Sequence, residues 1–211
     1  MLIQGSVGQP STTSIQPGTT PTMRQGQLGD VIVSELHGRY YETAYRRNLF
    51  NAATQTGVTT TVGLVTSYSG LALTNPTTST VNLVLNKVGY GVSASPAADM
   101  VVGLAFNTST TAVTQGGGTI TPRNNFLGGA TAQGLVSTGT GTAMTLPSAP
   151  IYSHFLGVIG TTAAAGAMQS GFVDLEGAII LPPGSYACIV TSTASAATSF
   201  FGSFQWEEVP V

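Results

Sequence analysis

The stretch that decides the fold runs from Gly171 to Thr193 and reads GFVDLEGAIILPPGSYACIVTST. Its two halves, Gly171–Leu181 and Ser185–Thr193, are rich in apolar, aromatic and β-branched residues, which are typical of strands. The tripeptide Pro182–Gly184 lies between them and predicts a tight turn, because proline fixes φ and glycine tolerates the left-handed backbone. The stretch therefore predicts two strands that are joined by a short turn.

Similar short runs recur along the chain, and turn residues separate them. None of these runs keeps the 3.6-residue spacing of a long helix. The further predicted strands are Thr59–Tyr68, Leu71–Thr74, Val81–Tyr90, Met100–Phe106, Ile151–Gly160 and Phe200–Val209. Many short strands at this spacing predict an all-β fold, an antiparallel β-sandwich or jelly roll.

The N-terminal part of the chain differs from the rest in composition. Residues 1–29 are rich in Gln, Gly, Ser, Thr and Pro and have few apolar side chains. They predict an extended N-terminal arm, which is either disordered or ordered against a neighbouring subunit. Apolar and polar residues begin to alternate at Asp30–His37, which predicts a strand. Residues 30–211 are therefore predicted to form the β-sandwich domain. Residues 38–54 are ambiguous, and we expect extended structure there with room for a short helical turn.

Charge is scarce in this sequence. Charged residues make up 7% of the 211 residues and the net charge is −2, whereas soluble domains carry about 25% charged residues. Phosphate binding as the main function is therefore excluded, because affinity for DNA or RNA depends on clustered Lys and Arg. The outward strand positions carry Thr, Ser, Asn, Gly and Ala, where a monomeric sandwich would carry Lys, Glu and Arg. This pattern predicts a surface that other protein subunits largely cover.

Targeting and membrane segments are not expected. The apolar runs are far shorter than the ~18 residues of a membrane span. The first ten residues have neither a basic region nor an apolar region of the kind that secretion signals use. We therefore expect a protein that is assembled in a cytoplasm and does not contact a membrane.

The residues that usually carry chemistry do not form a motif. The single cysteine, Cys188, lies in a strand-like run and is expected to be buried, and it excludes a disulfide framework. His37 and His154 are far apart and have no ligand spacing. Asp174 and Glu176 would share one face of a regular strand, where they could act in acid–base chemistry, hold a cation, or pair with arginine. Pairing is favoured, so we predict no catalytic, cofactor-binding or metal-binding residue.

One short segment concentrates basic and aromatic side chains and is the predicted interface. Its candidate contact residues are Arg39, Tyr41, Tyr45, Arg46 and Arg47. Arg and Tyr are enriched in interface hot spots. Glu35 and Glu42 are spaced to pair with Arg39 and Arg46, so a local ion-pair cluster is the first interpretation, a protein interface the second, and nucleic-acid binding the third.

Two parts of the sequence resemble virion structural proteins of tailed bacteriophages. The first contains GDVIVSELHGRYYETAYRRNLF (29–50) and LALTNPTTSTVNLVLNKV (71–88), and the second is GAIILPPGSYACIVTSTASAATSFFGSFQWEEVPV (177–211). The shared pattern is an hGRYYE…R.NLF segment, an L.NP..S..NL.L..V strand–turn–strand, an L.PG.Y turn and a W.E terminal strand. The commoner form of this pattern has Gly-Lys after NP..S, which this chain lacks at 77–80.

The resemblance implies a jelly-roll-like domain, often trimeric, on the outside of a capsid or on a tail, with no catalytic residues. The preferred hypothesis is therefore a capsid decoration or cement protein. Its expected partners are the major capsid protein, other virion subunits and further copies of itself, without nucleic acid or cofactor. A tail, neck or fibre-anchoring protein is the first alternative. A receptor- or carbohydrate-binding β-sandwich is the second, for which the one tryptophan, Trp206, offers a stacking surface.

Overall fold

The computed structural model describes residues 5–7, 23–25, 38–161 and 169–211, and it divides the chain into two units, Met1–Tyr41 and Glu42–Val211. In the first unit, β1 (Gly5–Val7) and β2 (Met23–Gln25) form a parallel pair. The rest of the predicted arm, 1–29, lies outside the described residues, as does the predicted strand Asp30–His37.

A single-turn helix, α1 (Tyr41–Tyr45), precedes the strands of the second unit. These strands are β3 (Leu49–Ala53), β4 (Ser67–Tyr68), β5 (Ala72–Thr74), β6 (Val81–Val92), β7 (Met100–Thr108), β8 (Gly118–Ile120), β9 (Arg123–Asn124), β10 (Leu135–Thr138), β11 (Met144–Thr145), β12 (Ile151–Ile159), β13 (Gln169–Leu181), β14 (Ser185–Thr191) and β15 (Phe200–Pro210).

Two antiparallel sheets pack as a sandwich, which confirms the predicted all-β class. One sheet has six strands in the order β12-β7-β14-β5-β10-β8, and the other has five in the order β13-β6-β15-β3-β9. The short strands β4 and β11 pair separately. At one edge of the sandwich β12 and β13 lie next to each other.

The main core fills the space between the two sheets, because alternate residues of the long strands are apolar. Leu83 and Leu85 of β6, Leu104 of β7, and Phe204 and Trp206 of β15 are almost completely buried there. Full burial of each such side chain contributes about 1.5–3 kcal/mol before the entropic cost of ordering.

A second apolar cluster lies on the other face of the six-stranded sheet. It contains Ala105 of β7 and Cys188 of β14, whose chain neighbours Leu104 and Ile189 belong to the main core. Tyr68 of β4 and Met144 of β11 cover it. One face of this sheet therefore packs on the other sheet, and part of its second face packs on the small β4–β11 pair.

The predicted turn at Pro182–Gly184 is confirmed, and Asn75 fixes it from a neighbouring loop. Gly184 has a φ of 86°, and its amide donates to the Asn75 carbonyl at 2.9 Å. The side-chain amide of Asn75 donates to the carbonyls of Val81 (2.8 Å) and Leu181 (2.9 Å). The NP and PG segments of the sequence pattern therefore hold each other in place.

The predicted strand Thr59–Tyr68 is wrong over most of its length. Only its last two residues form a strand, and Val62 makes an isolated bridge. Thr60 instead exchanges side-chain hydrogen bonds with Thr191 (2.8 Å) and with the amide of Ser195 (3.0 Å). Side-chain hydroxyls thus supply hydrogen-bond partners that a neighbouring strand would supply in a sheet. A run of β-branched residues can therefore stay outside a strand here.

Candidate interaction surfaces

The first unit contains two of the five predicted contact residues, Arg39 and Tyr41. Both side chains are exposed, Tyr41 by 44%. The amide of Tyr41 donates to the Gly38 carbonyl at 3.0 Å, which closes the turn that leads into α1. The structure therefore leaves both side chains accessible, as an interface residue must be.

The second unit contains the other three, Tyr45, Arg46 and Arg47, and all are exposed. Arg47 ends the helix with a φ of 65° and places its guanidinium 4.6 Å from the centre of the Phe126 ring. Its carbonyl accepts a hydrogen bond from Asn124 at 2.6 Å. Arg47 thus attaches the start of β3 to the β9 region through a cation–π contact and a backbone contact.

Arg46 faces a carboxylate that the sequence analysis did not connect with it. Burial raises the pKa of Glu207 on β15, while the charge of Arg46 and a hydrogen bond with Thr43 oppose that rise. The predicted partners were Glu35, which lies outside the described residues, and Glu42, whose side chain is not described. Arg46 therefore interacts with a carboxylate of the C-terminal strand, and the pairs with Glu35 and Glu42 stay predictions.

An exposed apolar surface on β12 was not predicted. Phe155 is 75% exposed and Val158 is 65% exposed, although both are large apolar residues inside a strand. The Tyr152 ring lies 5.4 Å from the Phe155 ring. Among the strands that the structure describes, β12 has β7 as its only neighbour in the sheet. We call Tyr152, Phe155 and Val158 the β12 surface.

A second exposed apolar surface lies on the five-stranded sheet. Phe172 of β13 is 61% exposed, and Phe201 of β15 is 38% exposed. Phe172 pairs with Gly89, and Phe201 pairs with Gly91. The two glycines of β6 have no side chains, which leaves the sheet surface between the two phenylalanines low. The result is an open depression of about 350 Å³, which the neighbouring Ser170, Ser203 and Ala53 also line.

Sequence reasoning missed both surfaces for a physical reason. The run Ile151–Gly160 contains apolar residues at both phases of the strand, which is typical of a strand that is buried on both faces. Only the strand order shows that β12 and β13 are at the edge. The scarcity of charge across the chain was the one sequence feature that predicted a surface in contact with other subunits.

The cysteine is buried, as predicted. Cys188 is completely inaccessible, and its thiol donates to the Ala105 carbonyl at 3.6 Å. Burial raises the pKa of this thiol far above its ordinary value, so it is held in the unreactive protonated form. His154 is exposed, and its Nδ1 is 2.6 Å from the Ser153 hydroxyl; His37 lies outside the described residues.

Asp174 and Glu176 do not lie on a regular strand, because β13 has a bulge that begins after Asp174. The register jumps from the pair Asp174–Lys87 to the pair Ile179–Leu85, so four residues stand opposite Asn86. Glu176 has a φ of 53°, and its amide donates to the Asp174 carboxylate at 3.0 Å. The aspartate therefore stabilises a bulge.

The described ranges can be compared with what a metal site and a membrane-spanning helix require. No group of three or more His, Cys, Asp and Glu side chains within 38–161 and 169–211 is placed to hold a metal ion. No helix in the described part of the chain has the length and hydropathy that crossing a membrane requires.

Comparison of the chain with protein-family models, curated proteins and solved structures finds no match. The surface of the sandwich and the sequence resemblance stated above are therefore the indications of function.

Proposed function

We propose that the chain is a structural subunit of a tailed-bacteriophage virion that decorates or cements the capsid shell. In this proposal it has no enzymatic activity and binds no cofactor. Its partners are the major capsid protein and further copies of itself, as a homotrimer. It assembles with them in the host cytoplasm and remains in the virion.

The observation that carries the proposal is the exposure of large apolar side chains on a charge-poor surface. Phe155, Phe172 and Leu127 are exposed by 75%, 61% and 91%. Charged residues, which normally keep such a surface in solution, make up only 7% of the chain. Burying apolar area against protein yields about 25 cal/mol per Å². Contacts of this kind are modest singly and become strong when a shell repeats them.

The sequence resemblance supports a shared fold more than a shared site. Asn75 and Gly184, from the NP and PG segments, fix a turn, as described above. Trp206 and Glu208, from the W.E segment, hydrogen bond to each other in the interior. Because these residues act inside the fold, a tail or neck subunit built on the same sandwich would keep them too. Location within the particle therefore needs a direct measurement.

The carbohydrate-binding alternative loses its main argument. Trp206 is completely buried and stacks on Phe50 at a centroid distance of 6.1 Å. A buried indole cannot serve as a platform for a sugar ring. We therefore do not favour this alternative.

The test is addition of the purified chain to shells that lack it. We expect the chain to cosediment with the shells in many copies per particle and to raise the temperature at which they release their contents. The double variant Phe155→Ser with Phe172→Ser should bind more weakly, and Thr78→Ala, at an exposed polar position, should bind as the unaltered chain does. Binding in a few copies at the tail would identify a tail or neck subunit, and absence of binding would refute a virion role.

A further inference from the structure

We propose that β12 packs against β12 of a second copy of this chain, across a two-fold axis that passes beside Phe155. This inference deepens the proposed function and rests on its premise that protein covers the apolar surface. It specifies one contact between copies, which would join neighbouring trimers of the proposed function and so reinforce their binding to the shell, and it leaves the direct shell contact to other surfaces.

Two bulges in β12 place the three residues of the β12 surface on one face. Tyr152 pairs with Ala105, Phe155 with Gly103 and Val158 with Val101, and the register shifts between these pairs. Alternate residues of β7 share a face of the sheet, so their partners do too. A regular strand would put residues three apart on opposite faces; the bulges bring Tyr152, Phe155 and Val158 together.

The spacing of these residues is symmetric about Phe155. Tyr152 precedes it by three positions and Val158 follows it by three, and Phe155 is the middle residue of the nine in β12. A two-fold axis beside Phe155 sets that ring against its own copy. The same axis sets Tyr152 of each molecule against Val158 of the other. An isologous contact requires a surface that complements itself in this way.

Charge permits this contact. The strand Ile151–Ile159 contains no Asp, Glu, Lys or Arg. Two copies can therefore approach along it without opposing like charges on the facing strands, which would destabilise the pair. The occupant that this neutrality fits best is a surface that is equally neutral, and the same strand of a second copy meets that condition.

The available area suits a weak contact that a particle would reinforce. A buried aromatic side chain contributes on the order of 150–250 Å². With Phe155 and Val158 mostly exposed and Tyr152 partly buried, each copy offers on the order of 300 Å². Two copies then bury on the order of 600 Å², which is below the ~1,200 Å² of stable specific interfaces, so the contact is weak unless a particle holds the copies together. The bulges interrupt the free backbone edge, so the contact is made by side chains rather than by a continuous ladder.

A single engineered thiol tests the axis directly. The natural Cys188 is completely buried and is the only cysteine, so Phe155→Cys adds the one accessible thiol. Because the axis brings position 155 near its own copy, we expect mild oxidation to link two chains about tenfold faster than in Leu127→Cys. Leu127 is the matched control: it is 91% exposed and follows β9, which is at the other end of the five-stranded sheet from β13.

A second variant measures the contact without a thiol. Phe155→Asp should abolish the rise of sedimentation coefficient with concentration and leave the unfolding midpoint unchanged, because the side chain is exposed. Equal crosslinking of the Phe155→Cys and Leu127→Cys variants, both in solution and on particles, would overturn the inference.

The same thiol distinguishes the other occupants of the β12 surface. If the introduced thiol of Phe155→Cys is protected on particles without crosslinking, the inference is overturned, with the capsid protein or residues 1–29 as the occupant, and the proposed function stays intact. Crosslinked dimers that never bind particles would support the inference and refute the virion role.

Discussion

At the scale of single residues, one buried carboxylate joins the C-terminal strand to a long loop. Glu208 is 7% exposed, and its oxygens accept hydrogen bonds from the amides of Gln133 and Gly134 at 2.9–3.0 Å. The indole of Trp206 donates to the same carboxylate at 3.2 Å. Such charge-assisted bonds are stronger than neutral ones. The W.E segment of the sequence therefore has a structural explanation.

Replacing this carboxylate with the amide of the same shape should destabilise the fold. In Glu208→Gln the charge is lost and an NH₂ group replaces Oε2 beside the Gln133 amide, while the amide oxygen can keep the donors of Oε1, so we expect a loss of about 2 kcal/mol in the free energy of unfolding. Urea unfolding monitored by Trp206 fluorescence measures it. The matched control is Glu207→Gln at the next position, which is half-buried and should not lose stability at pH 7. Equal stability of Glu208→Gln and the unaltered chain would contradict this account.

The neighbouring carboxylate should make stability depend on pH in the opposite sense to most glutamates. Burial raises the pKa of Glu207 above its usual value, and Arg46 and Thr43 only oppose this rise. A raised folded-state pKa means that the stabilising contribution is fully present below the unfolded-state pKa and is lost as pH rises through the folded-state pKa.

From pH 4 to pH 7 the unaltered chain should therefore lose stability relative to Glu207→Gln, and Arg46→Gln should steepen that loss. Urea unfolding at several pH values measures both effects. A difference that stays constant with pH would show that Glu207 does not titrate differently in the folded state.

At the scale of elements, the sequence predicted the long strands well and the edges poorly. Val81–Tyr90 and Phe200–Val209 have clear apolar patterns, and both form central strands that are buried on the core side. The bulges of β12 and β13 carry no comparable pattern, because a bulge changes the pairing register without changing composition. The β12 surface was missed for this reason.

The five predicted contact residues between positions 39 and 47 are exposed. Their exposure follows from local composition, since Arg and Tyr keep a polar end in water. Whether they contact another subunit depends on a partner, which no pattern within one chain encodes. Their role in an interface therefore stays a prediction.

Tyr90 of β6 lies close to both β12 and β13, and its link to β12 can be tested. The Tyr90 hydroxyl donates to the Leu156 carbonyl at 3.1 Å. A Cβ at Gly157 would strike that hydroxyl, whereas a Cβ at Gly171 would also strike the carbons of the ring. A side chain at either glycine would collide with Tyr90, because β12 and β13 both come close to it.

We expect Tyr90→Phe to cost about 1 kcal/mol and Gly157→Ala about 2 kcal/mol of unfolding free energy. Removing the Tyr90 hydroxyl should relieve part of the clash with a Cβ at position 157. The double variant Tyr90→Phe with Gly157→Ala should therefore lose less unfolding free energy than the sum of the two single losses. Gly171→Ala is the control, because Tyr90→Phe leaves the ring carbons in place and should not rescue it. Additive costs for the Gly157 pair would show that Tyr90 is not linked to β12 through this hydroxyl.

At the scale of the whole molecule, two kinds of surface compete for the role of main contact. The exposed arginines 39, 46 and 47 would attract an acidic partner, and that attraction weakens with salt because the Debye length falls from about 10 Å at 0.1 M to about 3 Å at 1 M. The apolar surfaces of β12 and β13 would bind by excluding water, which salting-out anions strengthen. Salt therefore separates the two.

With so few charges on the chain, we expect water exclusion to dominate. Binding to shells and self-association should persist from about 0.1 M to about 1 M sodium chloride, and sodium sulfate at equal ionic strength should strengthen both. Analytical ultracentrifugation measures the self-association, and cosedimentation measures the binding to shells. The variant with Arg39, Arg46 and Arg47 changed to Gln should behave as the unaltered chain does. Release at high sodium chloride, together with loss of binding in that variant, would make the arginine segment the main contact and the apolar surfaces secondary.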